Sequence, residues 1–249
     1  MNDFTTPALV LREVDYKEAD KLLTILTPEH GKLTVSSRAC RRKNSRLAAA
    51  SQLLVYSEMT LYQIQNRWLL RESASEQLFP GVREDIQRLS LASYLAELAE
   101  LNTQEEVPAP EILSLLLNSL YALDTLHKDC EPVRAAYELK LMSLAGYEPI
   151  LDACAVCGRE PVSPCFCLQE GVLTCADCKE EAGGGESVPL KPNALAAMRH
   201  VLYGNPKRLF SFRLEPQEQH CMNRACERFV KIQLERDFRT LSFYRQFLT

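Results

Sequence analysis

Two CxxC pairs, Cys154-Ala-Val-Cys157 and Cys175-Ala-Asp-Cys178, stand 17 residues apart in this chain of 249 residues. No other feature restricts the fold as much. A CxxC pair on a tight turn can grip one metal through its thiolates, and two such turns complete a tetrahedron of four sulfurs, the arrangement that suits Zn2+. With four protein sulfurs bound, the metal keeps no position for water, so the expected role is structural: pinning a segment too small to hold a core. Six of the ten cysteines lie between Cys154 and Cys178, and Cys40, Cys130, Cys221 and Cys226 are scattered. A tight cluster in a chain with no export signal points to metal rather than to disulfide bridges. Free thiols or a redox CxxC pair are the competing readings, and Cys165 and Cys167 leave the ligand set open, because either is placed to displace one of the four.

The first 80 residues alternate with the period of β-strands. Leu23 and Ile25 alternate with Leu22, Thr24 and Leu26, and Leu33 and Val35 alternate with Lys32, Thr34 and Ser36. In the run Leu53–Tyr62 the residues Leu53, Val55, Met59 and Leu61 share one face, with Tyr56, Glu58, Thr60 and Tyr62 on the other. Turns are expected at Pro28–Gly31 and Gln65-Asn66. With Pro7–Val14 and Arg67–Glu72 the count is five strands, and the Ala-rich Ser45–Ser51 is expected to form one helical turn between the third and fourth. Five short strands with a small helix in that gap suit an OB-fold barrel, and another small β-barrel is the alternative.

After Pro80-Gly81 the period becomes helical. Ile86, Leu89, Tyr94, Leu98 and Leu101 mark one helix, and a second runs from about Pro110 to Leu126. A third starts near Pro132, as an N1 proline, and ends at Gly146. The linker Asn102–Pro110 separates the first two. Gly183-Gly184-Gly185 is expected as a loop, Asn193 as the cap of a short helix stopping at Gly204, and Glu215–Phe238 as a long helix. No internal repeat is visible.

The net charge of −4 conceals an asymmetry. Residues 1–80 carry 11 Lys+Arg against 9 Asp+Glu, and residues 81–150 carry 5 against 12. Residues 31–50 hold Lys32, Arg38, Arg41, Arg42, Lys43 and Arg46 and no acid. Such a field attracts phosphate even on an anionic molecule, and cations on a loop beside a barrel follow a phosphodiester backbone without reading bases. Tyr16, Tyr56, Tyr62 and Trp68 are the aromatic residues of this region that bases would stack on. A solvated charged loop is the plainer reading. A second candidate, Arg224, Arg228 and Lys231, shares one helix face, but Glu218, Glu227 and Glu235 are interspersed, and a solvated helix surface is the preferred reading there.

Routes to catalysis are missing. The chain has no GxxxxGK[ST] phosphate loop, no HExxH and no GxSxG, and its four histidines are dispersed. The expectation is a protein that is not an enzyme. Met1–Val14 carries Asp3 and no basic residue ahead of its apolar stretch, and no apolar run reaches the roughly 20 residues that span a bilayer, so a soluble, cytoplasmic protein without a membrane partner is expected.

Several blocks resemble the bacterial RecO family: DYKEADKLLTILTPEHGKL from Asp15 to Leu33, the basic RACRRKNS, LFPGVREDI from Leu78, ASYLAELAE from Ala92, and CAVCGRE in the cysteine segment. The resemblance covers nearly the whole chain. It implies an α+β protein with a DNA-binding, five-stranded OB-fold barrel over residues 1–80. An α-helical domain over 81–150 and 181–249 would follow, with a four-cysteine zinc finger inserted at 151–180. It also implies a recombinational repair mediator that binds single- and double-stranded DNA and anneals complementary strands on DNA coated by single-strand-binding protein (SSB). Such a mediator acts with RecR to promote RecA loading and is nucleoid-associated. The family's basic loop maps onto Arg38, Arg41, Arg42, Lys43 and Arg46. Ala39 departs from it, standing where the family usually has glycine, and Cys165 and Cys167 stand where an aromatic or serine is more usual. An OB-fold and zinc-ribbon module that recruits partners and binds DNA only weakly is the alternative function; a zinc-dependent hydrolase is disfavoured by a metal closed with four sulfurs.

Overall fold

A computed structural model describes residues 3–183 and 185–248, in two compact units. The first comprises the described residues up to Leu126 together with those from Thr240, and the second spans His127–Arg239. Gly184, in the middle of the expected glycine loop, lies outside the described residues.

In the first unit, strands β1 (Asp3–Tyr16), β2 (Asp20–Thr27), β3 (Gly31–Ser37), β4 (Tyr56–Ile64) and β5 (Arg67–Gln77) close a barrel in the order β1-β2-β3-β5-β4. Neighbours are antiparallel except β3 and β5, which run parallel through Val35–Trp68 and Ser36–Leu69. This is the connectivity of an OB-fold. Ala8, Val10, Leu23, Ile25, Leu33, Val35, Met59, Leu61 and Leu70 fill the interior, each large aliphatic side chain contributing roughly 1.5–3 kcal/mol by leaving water.

Three helices follow: α1 (Pro80–Arg83), α2 (Ile86–Leu101) and α3 (Pro110–Asp124). Asp85 starts α2 by accepting hydrogen bonds on Oδ1 from the N–H groups of Gln87 (2.8 Å) and Arg88 (3.1 Å). Helix α2 packs on β1 and α3 on β2, which buries Leu9, Leu11 and Leu26 on the barrel's outer surface. Both faces are therefore buried at Ala8–Leu11 of β1 and Leu23–Thr27 of β2, and the strict alternation of a half-wet strand is lost there.

The segment between α2 and α3 lies along β3. Glu105 bridges Gly31 and Lys32, and the Glu106 N–H donates to the Lys32 carbonyl at 3.1 Å. Gly31 makes this approach possible. Its φ is +61°, and a Cβ there would stand 1.8 Å from the Val107 carbonyl oxygen.

The second unit contains α4 (Cys130–Leu144), the short strands β6 (Pro164–Cys167), β7 (Val172–Cys175) and β8 (Ser187–Pro189), then α5 (Pro192–Tyr203) and α6 (Pro216–Gln233). The strands form a sheet ordered β7-β6-β8. Its Phe166 meets Phe229 of α6 with ring centroids 5.1 Å apart. Arg134 of α4 is almost fully buried and bonds Glu138 (2.9 Å), Glu131 (2.8 Å) and Glu227 of α6 (3.4 Å). One buried cation thereby ties α4 to α6. A last helix, α7 (Arg239–Tyr244), belongs to the first unit from Thr240 on, where the Thr240 hydroxyl bonds the Glu97 carboxylate.

Several local expectations are corrected. The fourth strand begins at Tyr56 rather than Leu53, because Leu54 turns left-handed at φ +61°. Residues 46–51 form turns and hold the one helical turn expected, closed by the Ser51 N–H donating to the Leu47 carbonyl at 3.0 Å, but it does not extend into a helix: Ser45 and Ala48 donate only three residues back. So short a stretch cannot offset the cost of nucleating a helix. Ile86 and Leu101, at the ends of the α2 stripe, are 51% and 41% exposed. Helix α4 starts at Cys130, which puts Pro132 third rather than first. Pro192 opens α5 with Lys191 as its cap, while Asn193 bonds Glu218 at 2.6 Å. The long helix ends at Gln233, just before Glu235 turns left-handed at φ +48°.

Candidate metal centre and nucleic-acid face

The sulfurs of Cys154, Cys157, Cys175 and Cys178 all lie within 4.8 Å of one another. Two turns deliver them. The Gly158 N–H donates to the Cys154 carbonyl at 2.9 Å, with Gly158 at φ +70°, and the Cys178 N–H donates to Cys175 at 3.1 Å. Cys157 and Cys175 have their sulfurs 3.8 Å apart. A tetrahedral zinc with Zn–S bonds of about 2.3 Å has S···S edges of about 3.8 Å, so the cage has the right size.

Charge supports the same fit. Burial pushes the Cys154 thiol up, but hydrogen bonds from the backbone of Cys157, Cys175 and Val156 together outweigh it and bring it down to about 6. Burial, followed by the neighbouring sulfurs, drives Cys175 up to about 12 and Cys178 up to about 11. Four sulfurs this close cannot all ionise unless a cation joins them. Cys165 and Cys167 are not in the cluster. They are buried in β6, where Cys167 contacts the Thr174 hydroxyl at 3.5 Å.

The basic stretch follows β3 and is anchored on the β1–β2 loop. The Ala39 N–H donates to Asp20 Oδ1 at 2.8 Å, and that of Arg41 to the Ala19 carbonyl at 3.0 Å. Ala39 takes φ +53°, the left-handed conformation natural to glycine. The loop therefore keeps the curvature a glycine would allow. Arg38, Arg41, Arg42, Lys43 and Arg46 are exposed. Arg41 pairs with Asp15 at 3.1 Å, whereas Arg38, Arg42, Lys43 and Arg46 have no carboxylate partner among the described residues. Lys32 is set apart, its ammonium donating to the Glu100 carbonyl at 2.7 Å.

Beside this loop an open groove of about 460 Å³ runs over the barrel surface, lined by Tyr16, Lys17, Thr34, Arg38, Arg67 and Trp68 among others. It is built from β2 and β3 and the β1–β2 and β4–β5 loops, the surface on which OB-folds take oligonucleotides. Gln65 and Asn66, at φ +46° and +58°, make the tight β4–β5 turn at its edge. Trp68 stands edge-on to Phe4, with centroids 5.1 Å apart. Tyr62 lies instead beneath the Arg71 guanidinium, 4.7 Å from its ring centre, and neither it nor Tyr56 lines the groove. Lys17 and Arg67 escaped sequence reasoning, since each is a lone cation; their positions flanking the two loops were the only available signal.

On α6, Arg228 bonds the Glu186 carboxylate (2.7 Å) and Lys231 pairs with Asp237 (2.9 Å). Two of the three cations of the second candidate are thus committed within the unit, as on a solvated helix surface.

Comparison with known proteins covers both parts of the chain. The family model for the N terminus of recombination protein O matches residues 1–76, and that for its C terminus matches residues 83–242. The DNA repair protein RecO of Symbiobacterium thermophilum is 31% identical over 246 residues, covering 96% of each chain. That of Acetivibrio thermocellus is 28% identical over 246 residues, covering 98% of this chain and 97% of the relative. That of Caldicellulosiruptor bescii is 29% identical over 241 residues, covering 96% and 97%.

Proposed function

Because the chain belongs to the RecO family of DNA repair proteins, we propose that it is a non-catalytic recombination mediator. It binds single- and double-stranded DNA, anneals complementary strands on SSB-coated DNA, and acts with RecR to promote RecA loading. The observation that carries this reading is the juxtaposition of the groove, with Tyr16, Lys17, Arg38, Arg67 and Trp68 on its walls, and the basic loop with Arg42, Lys43 and Arg46 exposed beside it.

Annealing needs no fuel, because base pairing supplies the driving force. What opposes it is the repulsion of two phosphate backbones, which exposed guanidinium and ammonium groups screen by displacing counterions. Tyr16 and Trp68 offer surfaces on which unpaired bases stack in a sequence-tolerant way. Arg38, Arg41, Arg42, Lys43 and Arg46 hold phosphate. Lys32, engaged with the Glu100 carbonyl, shapes the β3 edge and adds to the field.

Cys154, Cys157, Cys175 and Cys178 are the proposed ligands of a structural Zn2+, which would supply the charge that lets all four sulfurs ionise and would hold the finger's turns together. No described helix is long and apolar enough to cross a membrane, and the proposed place of action is the cytoplasm, at the nucleoid. The experiment is annealing of complementary oligonucleotides, naked and SSB-coated, by the wild type and by R41E/R42E. Faster annealing by the wild type on both substrates, lost in the variant, is expected. Equal rates with and without protein would overturn the reading.

A further inference from the structure

The strap between α2 and α3 carries Gln104-Glu105-Glu106-Val107 and brings two carboxylates against residues of the groove wall. The Thr34 hydroxyl donates to Glu105 Oε1 at 3.4 Å, and the Trp68 indole N–H donates to Glu106 Oε1 at 3.3 Å. Thr34 and Trp68 both line the groove. Sealing the β3 edge does not require these side chains, because backbone groups do that: Glu105 bridges Gly31 and Lys32, and the Glu106 N–H donates to Lys32. Nor is a glutamate favoured by the local conformation at position 106, since Glu106 sits at φ +59°. The groove wall carries Lys17, Arg38 and Arg67 against one acid, Asp20, whose carboxylate accepts from the Ala39 N–H, and the strap fixes two further carboxylates against Thr34 and Trp68.

Resting on the groove as the DNA face, we propose that Glu105 and Glu106 make it select unpaired nucleic acid over duplex. A single strand is flexible. It turns its phosphates toward Lys17, Arg38 and Arg67 and its bases toward Trp68, keeping charge away from the strap. A duplex cannot do this. It is stiff and carries one negative charge per ~1.7 Å of axis on two rails, so seating one rail on the cations drives the other toward the carboxylates. Like charges brought together at an interface suppress the wrong partner.

The test compares an unstructured oligothymidylate with a blunt duplex of equal length. Binding is followed by anisotropy and by emission of Trp68, the chain's single tryptophan. The E105Q/E106Q variant keeps the backbone pairing, and its melting curve should match the wild type. Its duplex affinity should rise about tenfold and its single-strand affinity less than about threefold. The control E84Q/E111Q removes the same charge from exposed positions outside the groove and should leave the ratio of the two affinities unchanged. Equal gains for both nucleic acids, or the same shift of ratio in the control, would overturn the proposal. K17E/R38E separates the two levels. If it binds oligothymidylate as the wild type does, the groove is not the DNA face and both readings fall. If it loses binding while E105Q/E106Q keeps the wild-type ratio, only the selectivity proposal falls.

Discussion

The barrel and the cysteine finger solve the same problem, holding a short stretch of chain in one shape, by opposite means. The barrel encloses nine apolar side chains and leaves the cations of its basic loop outside, exposed and, apart from Arg41, without a carboxylate partner among the described residues. The finger borrows its apolar support, Phe166 resting on Phe229 of α6, and gathers its polar atoms inward onto a single point. In the barrel the enclosed core and the cations proposed to hold phosphate are therefore different residues, so one can be altered without the other, and Trp68 is the residue that both packs against the core and lines the groove. In the finger the same four sulfurs would do both, and no such separation exists.

The largest effect that would break this comparison is at the finger. C154S and C175S should each purify without stoichiometric zinc, as metal analysis reads, and residues around 154–178 should become open to proteolysis. Structural zinc in small fingers is worth roughly 10–16 kcal/mol of binding that folding depends on. The barrel, monitored by Trp68 emission, should melt as before. A finger that stays protease-resistant without metal would mean its sheet holds by itself. The mirror-image change is I25A or L61A inside the barrel, both residues fully buried. Each should lower barrel stability by about 2–5 kcal/mol in a denaturant titration while zinc content stays at one per chain.

A smaller change tests whether barrel function sits on the surface alone. R38E/R42E should weaken DNA binding by about one to two orders of magnitude at low salt and flatten the salt dependence by about two contacts. Stability should stay within about 0.5 kcal/mol, as for surface sites generally. If the melting curve falls together with affinity, the loop supports the barrel, and core and surface are not separable.

The same contrast explains what sequence could and could not reveal. The cysteine cage was legible because its ligands come as two local pairs, and chemistry dictates the spacing inside each pair. The barrel was legible from the period of Leu23, Ile25, Leu33, Val35, Met59 and Leu61, all of which point inward. The groove was not. Tyr16, Lys17, Arg38, Arg67 and Trp68 are contributed by β1, the β1–β2 loop, the end of β3 and the start of β5, and only barrel closure brings them together. The strap was hidden for the same reason: Asn102–Pro110 reads as a linker between two helices, and nothing in its composition says that it pairs with β3.

The smallest expected effect is at Ala39. A left-handed backbone puts the alanine Cβ too close to the neighbouring carbonyl oxygen, at a cost of roughly 1–2 kcal/mol, and Ala39 takes that conformation at φ +53°. A39G removes the clash but loosens the unfolded chain, which offsets roughly 0.4–1 kcal/mol of the gain. The net expectation is a barrel more stable by about 0.5–1 kcal/mol, read as a small rise in the Trp68 unfolding midpoint. DNA affinity should not change, because the loop already follows the path glycine would give it. A variant that binds DNA more tightly without gaining stability would show that Ala39 restrains the cations rather than the fold, and the basic loop would then resemble the finger, with one set of residues serving shape and function together.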